Sequence, residues 1–505
     1  MLCVAYLVVW PSSLDYASGD FRAKLFDGGS YLWNNLWFGG HSLPGYGLLP
    51  PMLGATLGVL PVAIASAILS SYCFVLVVDH YHRSKVTTPN PLLALALLSV
   101  SSTVSLWGGR LTFGPSVLAA VACIAAAQRE KKWLAVLFAV LCGLSSPVAA
   151  LSLALVAGGC WFTRALERRT ALYIGLGCVI PMGVLIVAFP EGGWYPFTGR
   201  SFLFVSAVTL LAGWFARHVR VVLYTAVMYE VVALGAFVIQ SPLGGNIVRL
   251  AWLVAGPVAA LTMKKYRSTL LPLFVATWLV WSWAYVEMAF KPRPASAEAS
   301  FYTPLTSYIK TLPGEPRRVE VVPTASFRQA DDVALAVGLA RGWETQLDRK
   351  LNPEFYGDVL TEQSFHTWLV KNSVRLVALP EGALSPFAEI EAAIIRARPA
   401  YLHPVWSNQN WQLFEVSDAP TLASNGATVT DVEPESLTVM ATKSGPTTVR
   451  FRFTKWYNVV EGRACVTESP DGWVSLDVRA PGEIRIEARF SLPAVLGQDS
   501  DCPVS

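Results

Sequence analysis

Residues 11–50 read PSSLDYASGDFRAKLFDGGSYLWNNLWFGGHSLPGYGLLP. The stretch is aromatic and glycine-rich, and it carries three aspartates, Asp15, Asp20 and Asp27, directly ahead of a series of apolar segments. A connection beyond about 15 residues with no evident element is usually functional or disordered. The density of aromatic side chains argues against disorder here. A long polar loop in front of a greasy chain is the arrangement of a membrane protein with an external site.

The composition outside the loop agrees. The chain of 505 residues is 53% hydrophobic and only 15% charged, where a soluble protein carries about 25% charged residues. Residues 1–290 hold 9 acidic and 18 basic side chains, against 26 and 21 in residues 291–505. Two solvents are implied, lipid for the first part and water for the second. A single globular enzyme, a disordered chain and a nucleic-acid binder are excluded, because the mild basicity belongs to membrane loops and not to a phosphate-binding face.

Apolar runs lie at 52–78, 91–107, 111–128, 134–162, 171–189, 202–216, 221–239, 250–263 and 270–290. Several approach the roughly 20 residues that cross a bilayer core. The cations of alternate loops sort by side. Arg83, Lys85, Arg129, Lys131, Lys132, Arg164, Arg168, Arg169, Arg217, Arg220, Lys264, Lys265 and Arg267 fall in one set, and only Arg22, Lys24, Arg110, Arg200 and Arg249 in the other. The positive-inside rule puts the larger set in the cytoplasm. Residues 134–162 then have cytoplasmic clusters at both ends, so the chain turns at Gly143-Leu144-Ser145-Ser146-Pro147, where proline removes a helix donor. About eleven passes result, in a plasma membrane, with the amino terminus cytoplasmic and residues from 291 onward extracytoplasmic. Leu2 to Trp10 gives a first pass only half a membrane long, so the true start is expected upstream or the helix is a fragment. It does not read as a signal peptide.

Cys3, Cys73, Cys123, Cys142, Cys160 and Cys178 lie in apolar segments and read as packing residues. Cys465 and Cys502 lie in the exported part, where an oxidising compartment permits a disulfide between them. No Cys/His spacing suggests a metal such as zinc.

Residues 291–300 (KPRPASAEAS) read as a linker. In residues 301–420, strands at 317–322 and 373–379 alternate with helices at 330–340, 361–371 and 387–397, which predicts an exported α/β domain. Residues 421–505 change to short alternating runs such as TTVRFRF, WVSLDV and EIRIEARF between Gly/Pro turns, which predicts a C-terminal β-sandwich.

An acidic residue shortly after the first helix, an aromatic first exported loop, about eleven helices and an exported carboxy-terminal part together resemble the GT-C integral membrane glycosyltransferases. The text GDFRAKLFDGG...LWNNLWFGGHSLPGY, with its W-N-x-x-W-x-G-G run, also resembles the YfhO-like and 6-pyruvoyl-tetrahydropterin-synthase-related bacterial membrane proteins. The motif likeness covers residues 15–46 and, more weakly, 244–257. The resemblance implies a GT-C-like membrane domain over residues 1–290 that takes a lipid-linked sugar donor, a polyprenyl-phosphate sugar, from the bilayer. The acceptor would be an envelope glycan or lipid, attacked with inversion at the anomeric carbon.

The resemblance also implies that Asp20 deprotonates the acceptor, with Asp15 and Asp27 as rivals. A carboxylate in hydrogen-bond reach can take such a proton. The other reading of Ser-Gly-Asp-Phe is a turn with a helix cap. Arg110, Arg200 and Arg249 run against the positive-inside bias, so lipid phosphate is a candidate partner, and snorkelling to head groups is the plainer one. Asn246 and Gly244-Gly245 favour Arg249, since two glycines let a ligand approach the backbone. His41 reads as a phosphate or metal ligand, or as a loop histidine bonded to backbone. Some GT-C enzymes use a divalent cation, and no carboxylate cluster in the sequence demands one.

Trp33, Trp37 and Tyr46 read as an interfacial aromatic belt, with sugar stacking as the alternative. Glu230, inside the ninth pass, reads as a functional or a paired carboxylate. RGWETQLDR (341–349) is a charged aromatic segment placed to overhang a site, while Trp456, Tyr457 and Trp473 fit sandwich core better than a sugar surface. A transporter or flippase of an envelope precursor, or a non-catalytic envelope-assembly scaffold, would share the topology. Transporters usually show repeated halves, and the polar residues here collect at the outer surface.

Overall fold

A computed structural model describes residues 2–9, 15–83, 90–262, 291–357 and 359–495. The chain forms two compact units: Met1–Gly19 with Gly45–Pro292, and Asp20–Pro44 with Arg293–Ser505. The first loop is therefore divided, and most of it belongs with the C-terminal half.

The first unit is helical. Its principal elements are α1 (Leu2–Val9), α2 (Tyr16–Asp27, which crosses the division), α3 (Leu49–Leu57), α4 (Val59–Arg83), α5 (Pro91–Trp107), α6 (Gly114–Gln128), α7 (Lys132–Ser145), α8 (Pro147–Thr163), α9 (Arg168–Ala188), α10 (Gly199–Phe215), α11 (Arg220–Val238) and α12 (Val248–Thr262). Among the described residues, five helical stretches are long and apolar enough to cross a membrane: Val59–Tyr81, Leu111–Gln128, Arg168–Ala188, Arg220–Val238 and Gly244–Thr262. Helices satisfy every backbone group internally, which lipid requires. The break expected at 143–147 falls at Ser146, where the backbone turns extended between α7 and α8. The pass expected at 270–290 lies outside the described residues.

Small side chains set the packing of this unit. Ala135, Ala139, Cys142, Ala150 and Cys178 are buried in one cluster, and a side chain on Gly143 would meet the Cys178 carbonyl oxygen at 2.7 Å. Close backbone approach is how helices associate where lipid removes the hydrophobic drive.

In the second unit, β1 (Trp33–Asn34) and β2 (His41–Ser42) form an antiparallel pair. A mixed sheet follows in the order β3-β4-β6-β5, from β3 (Arg318–Val321), β4 (Val374–Pro380), β5 (Leu402–Ser407) and β6 (Trp411–Val416). β3 and β4 run parallel, and the other pairs are antiparallel. Side chains alternate across a strand, so β4 sends Leu376 and Ala378 to one core and Val377 and Leu379 to another. The first of these cores contains Phe21, Leu25, Leu36, Trp37, Phe38 and Leu43 from the first loop, packed with Phe301, Leu305, Val319 and Trp411. The loop thus supplies one layer of the sheet's packing.

Two further antiparallel sheets have the orders β10-β13-β8-β7 and β11-β12-β9, formed from β7 (Thr428–Val432), β8 (Ser436–Ala441), β9 (Gly445–Arg452), β10 (Tyr457–Glu461), β11 (Ala464–Glu468), β12 (Trp473–Val478) and β13 (Gly482–Ala488). β13 shows the period of two: Ile484, Ile486 and Ala488 are buried, and Glu483, Arg485 and Glu487 are not. Trp456, Tyr457 and Trp473 are buried core residues. Cys465 lies buried on β11, and Cys502, its expected disulfide partner, lies outside the described residues.

Two sequence expectations change. The first loop contains a regular helix, α2, in place of a structureless connection. The helix expected at 330–340 stops after a single wide turn at Gln329–Val333. The rest of that segment lines up along β3, where Val319 N–H donates to Gly338 at 2.9 Å and Ala340 N–H donates to Val319 at 2.8 Å. Edge pairing with a buried strand outweighs the helix propensity of an alanine-rich run.

Candidate functional site

In the first unit the structure brings together two of the arginines singled out by sequence. Gly108, Gly109 and Arg110 end α5, and a short 3-10 turn at Leu111–Phe113 leads into α6. Gly244–Ile247 forms a similar turn ahead of α12. The Arg110 guanidinium lies over the Trp252 ring at 5.9 Å, and that of Arg249 over the Phe113 ring at 5.7 Å. Each arginine is held on the aromatic that stands three residues beyond the other. Cation–π contact holds a guanidinium over a ring face, and a guanidinium is the group that recognises planar oxyanions.

A small cleft, with room for about one water, is lined by Arg110 with residues of α4, α5, α6 and α12. Asn246 is buried beside it in sequence only, since its side-chain amide donates to the Pro242 carbonyl at 3.1 Å within its own turn. Gly244 and Gly245 pack closely on neighbouring backbone. A side chain at either would collide with the carbonyl of Tyr195 or Pro196. Arg200 is exposed at the start of α10, and Glu230 is half-buried on α11.

In the second unit Asp20 sits in the second turn of α2, so it is not a cap. Its carboxylate is 3.0 Å from Lys24, one helical turn on, and Lys24 also reaches Asp331 at 2.7 Å. The Asp20 side chain is 23% exposed and that of Asp331 fully buried. Burial drives the Asp331 carboxyl up to about 7, against the pull of Lys24, with Asp20 and Asp332 adding to the rise. Burial pulls the Lys24 ammonium down, but Asp331 and Asp20 outweigh it and its pKa is raised. Arg328 closes the group with a two-pronged bond to Asp332 at 2.8 and 3.1 Å. Sequence reasoning treated Lys24 as a loop cation and missed Asp331. The available signal was the Asp20–Lys24 spacing of four, which places both on one helix face.

The aromatic and amide side chains of the first loop are held by packing and hydrogen bonds. Trp37 is fully buried, stacked on Phe21 at 4.4 Å, and its indole N–H donates to the Ala330 carbonyl at 2.8 Å. Trp37 is thus a core residue of the second unit, and Trp33 is likewise buried. Asn35 Oδ1 accepts from the Trp33 indole at 3.0 Å and the Tyr457 hydroxyl at 2.6 Å, while its amide donates to the Glu433 and Ser436 carbonyls. Asn34 Oδ1 accepts from Leu36 N–H at 3.0 Å, so its amide faces His41 Nε2 at 2.9 Å. That assignment makes Nε2 an acceptor and leaves the proton on Nδ1, which donates to the Ser42 carbonyl at 3.0 Å. Both ring nitrogens of His41 are thereby engaged.

Gly39 has φ +71°, and a side chain there would press on the Arg318 guanidinium at 2.9 Å. Asp27 is exposed at the end of α2, and Asp15 directly precedes that helix in the first unit.

The charges of 341–349 turn inward. Glu344 receives Arg22 at 2.7 Å, and Arg341 lies within 3.5–3.8 Å of Glu320, Glu391 and Asp348. Burial raises the Glu320 and Glu391 carboxyls, and Arg341 opposes that rise.

No family model and no curated protein matches this chain. Its structure is similar to the crystal structure of ArnT from Cupriavidus metallidurans in the apo state, with a TM-score of 0.45 at 14% identity, covering 83% of this chain and 98% of that one.

Proposed function

We propose that this protein is an integral membrane glycosyltransferase of the GT-C kind, close to the YfhO-like proteins in its first loop. It would transfer a sugar from a polyprenyl phosphate to a cell-envelope acceptor on the outer face of the plasma membrane. The observation that carries the reading is the reciprocal seating of Arg110 and Arg249 on Trp252 and Phe113. It gathers two phosphate-type donors in a unit built of apolar helices.

The chemistry balances with the residues assigned. Asp20 accepts the acceptor's hydroxyl proton as that oxygen bonds to the anomeric carbon. The bond from that carbon to the phosphate oxygen breaks, and polyprenyl phosphate leaves with the electron pair. Arg110 and Arg249 stabilise the anion, as fixed donors do where charge develops. Lys24 and Asp331 act through Asp20 and are positioning residues.

The test compares a deletion strain complemented with wild type, Asp20→Asn or Asp15→Asn, reading envelope glycans and lipid-linked sugars. The reading expects deletion to shorten a glycan and accumulate a polyprenyl-phosphate sugar, with Asp20→Asn failing to rescue. Full rescue by Asp20→Asn removes Asp20 as the base. Unchanged glycans favour a transporter or a scaffold.

A further inference from the structure

Three helices of the first unit bring their cations to one end. Lys132 opens α7, Arg164 follows α8, and Arg168 and Arg169 open α9. Ring contacts hold that end together. Trp133 stacks on Tyr173 with centroids 6.1 Å apart, joining the start of α7 to the second turn of α9. The Lys132 ammonium lies 4.6 Å over the Tyr173 ring and 5.5 Å over that of Trp133. The Arg168 guanidinium lies 4.9 Å over Trp161, near the end of α8. In the segments 129–132 and 164–169, Arg129, Lys131, Lys132, Arg164, Arg168 and Arg169 stand against only Glu130 and Glu167. Among the described residues no carboxylate pairs with Lys132, Arg168 or Arg169.

The rings of this end are not core. Trp133 is 72% exposed, and Tyr173 and Trp161 are exposed as well. Amphipathic rings of this kind sit where hydrocarbon gives way to head groups. An apolar track leads away from them. Leu137 follows Trp133 by one turn of α7, and Leu176 and Ile180 follow Tyr173 at helical spacing on α9. All three are exposed. The helices meet closely behind the track, since a side chain on Gly177 would meet Ala139 Cβ at 3.1 Å. Cations that serve only to orient a membrane chain need no aromatic seats and favour no particular head group. A cationic rim joined to an apolar track suits an anion joined to hydrocarbon. We propose that the seam between α7 and α9 seats an anionic diacyl phospholipid, its phosphate among Lys132, Arg168 and Arg169 and its chains along Leu137, Leu176 and Ile180. The seat is separate from sugar transfer and does not depend on it.

The test uses the purified full-length protein in neutral detergent and counts retained phosphatidylglycerol and phosphatidylcholine by native mass spectrometry. The variants are Lys132→Gln, Arg169→Gln, the double, Lys132→Arg and Arg220→Gln, an exposed cation that opens α11. Thermal unfolding without added lipid is the fold control, and the single variants carry the test if the double fails to fold. Phosphatidylglycerol should be retained in preference to phosphatidylcholine. Each lost charge should weaken it about 5-fold, and the double variant about 30-fold. Lys132→Arg and Arg220→Gln should bind as wild type.

Equal retention of the two lipids overturns the proposal, because the track then holds chains without reading a head group. An Arg220→Gln loss as large as that of the double variant also overturns it, and assigns the effect to diffuse charge. Full displacement by inorganic phosphate makes the site one for a free anion and not for a lipid. A dimer whose formation expels the lipid gives the seam to a second copy of the chain.

Discussion

Lys24 Nζ lies 2.7 Å from the Asp331 carboxylate, joining the first-loop helix to a buried acid some three hundred positions later. Lys24→Met leaves that acid buried without its ammonium. Breaking a fully buried pair costs about 3–5 kcal/mol. The Lys24 side chain is 40% exposed, so solvent screening reduces the expected loss to about 1–3 kcal/mol. Thermal unfolding checks this, and adding Asp331→Asn to Lys24→Met should restore most of the loss.

The same acid sets a pH dependence. Its folded pKa of about 7 lies above the ordinary aspartate value of 3.8, mainly through burial. Between those values the folded state holds more protons than the unfolded one, so stability falls as pH rises from about 4 to about 7 and levels beyond. Asp331→Asn should flatten that decline. An unfolding profile for the variant that still falls across this window would refute the assignment.

Trp37 should report on the core and not on ligands. Trp37→Ala empties a fully buried site and should cost about 3–5 kcal/mol. Trp37→Phe keeps the stack on Phe21 but loses the bond to Ala330, and should cost about half as much. Retained sugar-donor binding in Trp37→Phe, measured with purified protein, separates the structural role from a stacking one.

Arg110 and Arg249 should resist conservative exchange. Lysine offers a point charge and no planar fork, so Arg110→Lys and Arg249→Lys should each lower turnover roughly 10-fold or more, and Gln variants further. Arg200→Lys, at an exposed position, should stay near wild type. Steady-state transfer assays decide, and equal losses at all three positions would point to general lipid anchoring.

The strands at 374–380 and 473–478, the capped helix at 362–371 and the turn at Ser146 were legible because local pattern and tertiary role agree there. Arg110 and Arg249 were legible as cations on the wrong side of the charge bias. The helix through Asp20 was not. Phe21 and Leu25 carry the right spacing, but part of the core they join, Phe301, Tyr302 and Trp411, comes from residues beyond 300, and flanking glycines read as turns. The core role of Trp37 was hidden for the same reason. In His41, the sequence displays a ligand type whose lone pair a neighbouring amide takes up.

The second unit draws its core from Asp20–Pro44 and from Arg293–Ser505, with the larger part of the helical unit, Gly45–Pro292, between them in the chain. At roughly 5–20 residues per second of synthesis, Trp37 leaves the ribosome tens of seconds before Trp411 can cover it. The first loop must therefore wait, with its tryptophans unburied, until the last strands are made. Quality control of this protein is accordingly a question of timing: a ribosome stalled after the helices leaves a chain in the bilayer with a sticky hook that only its own tail can retire.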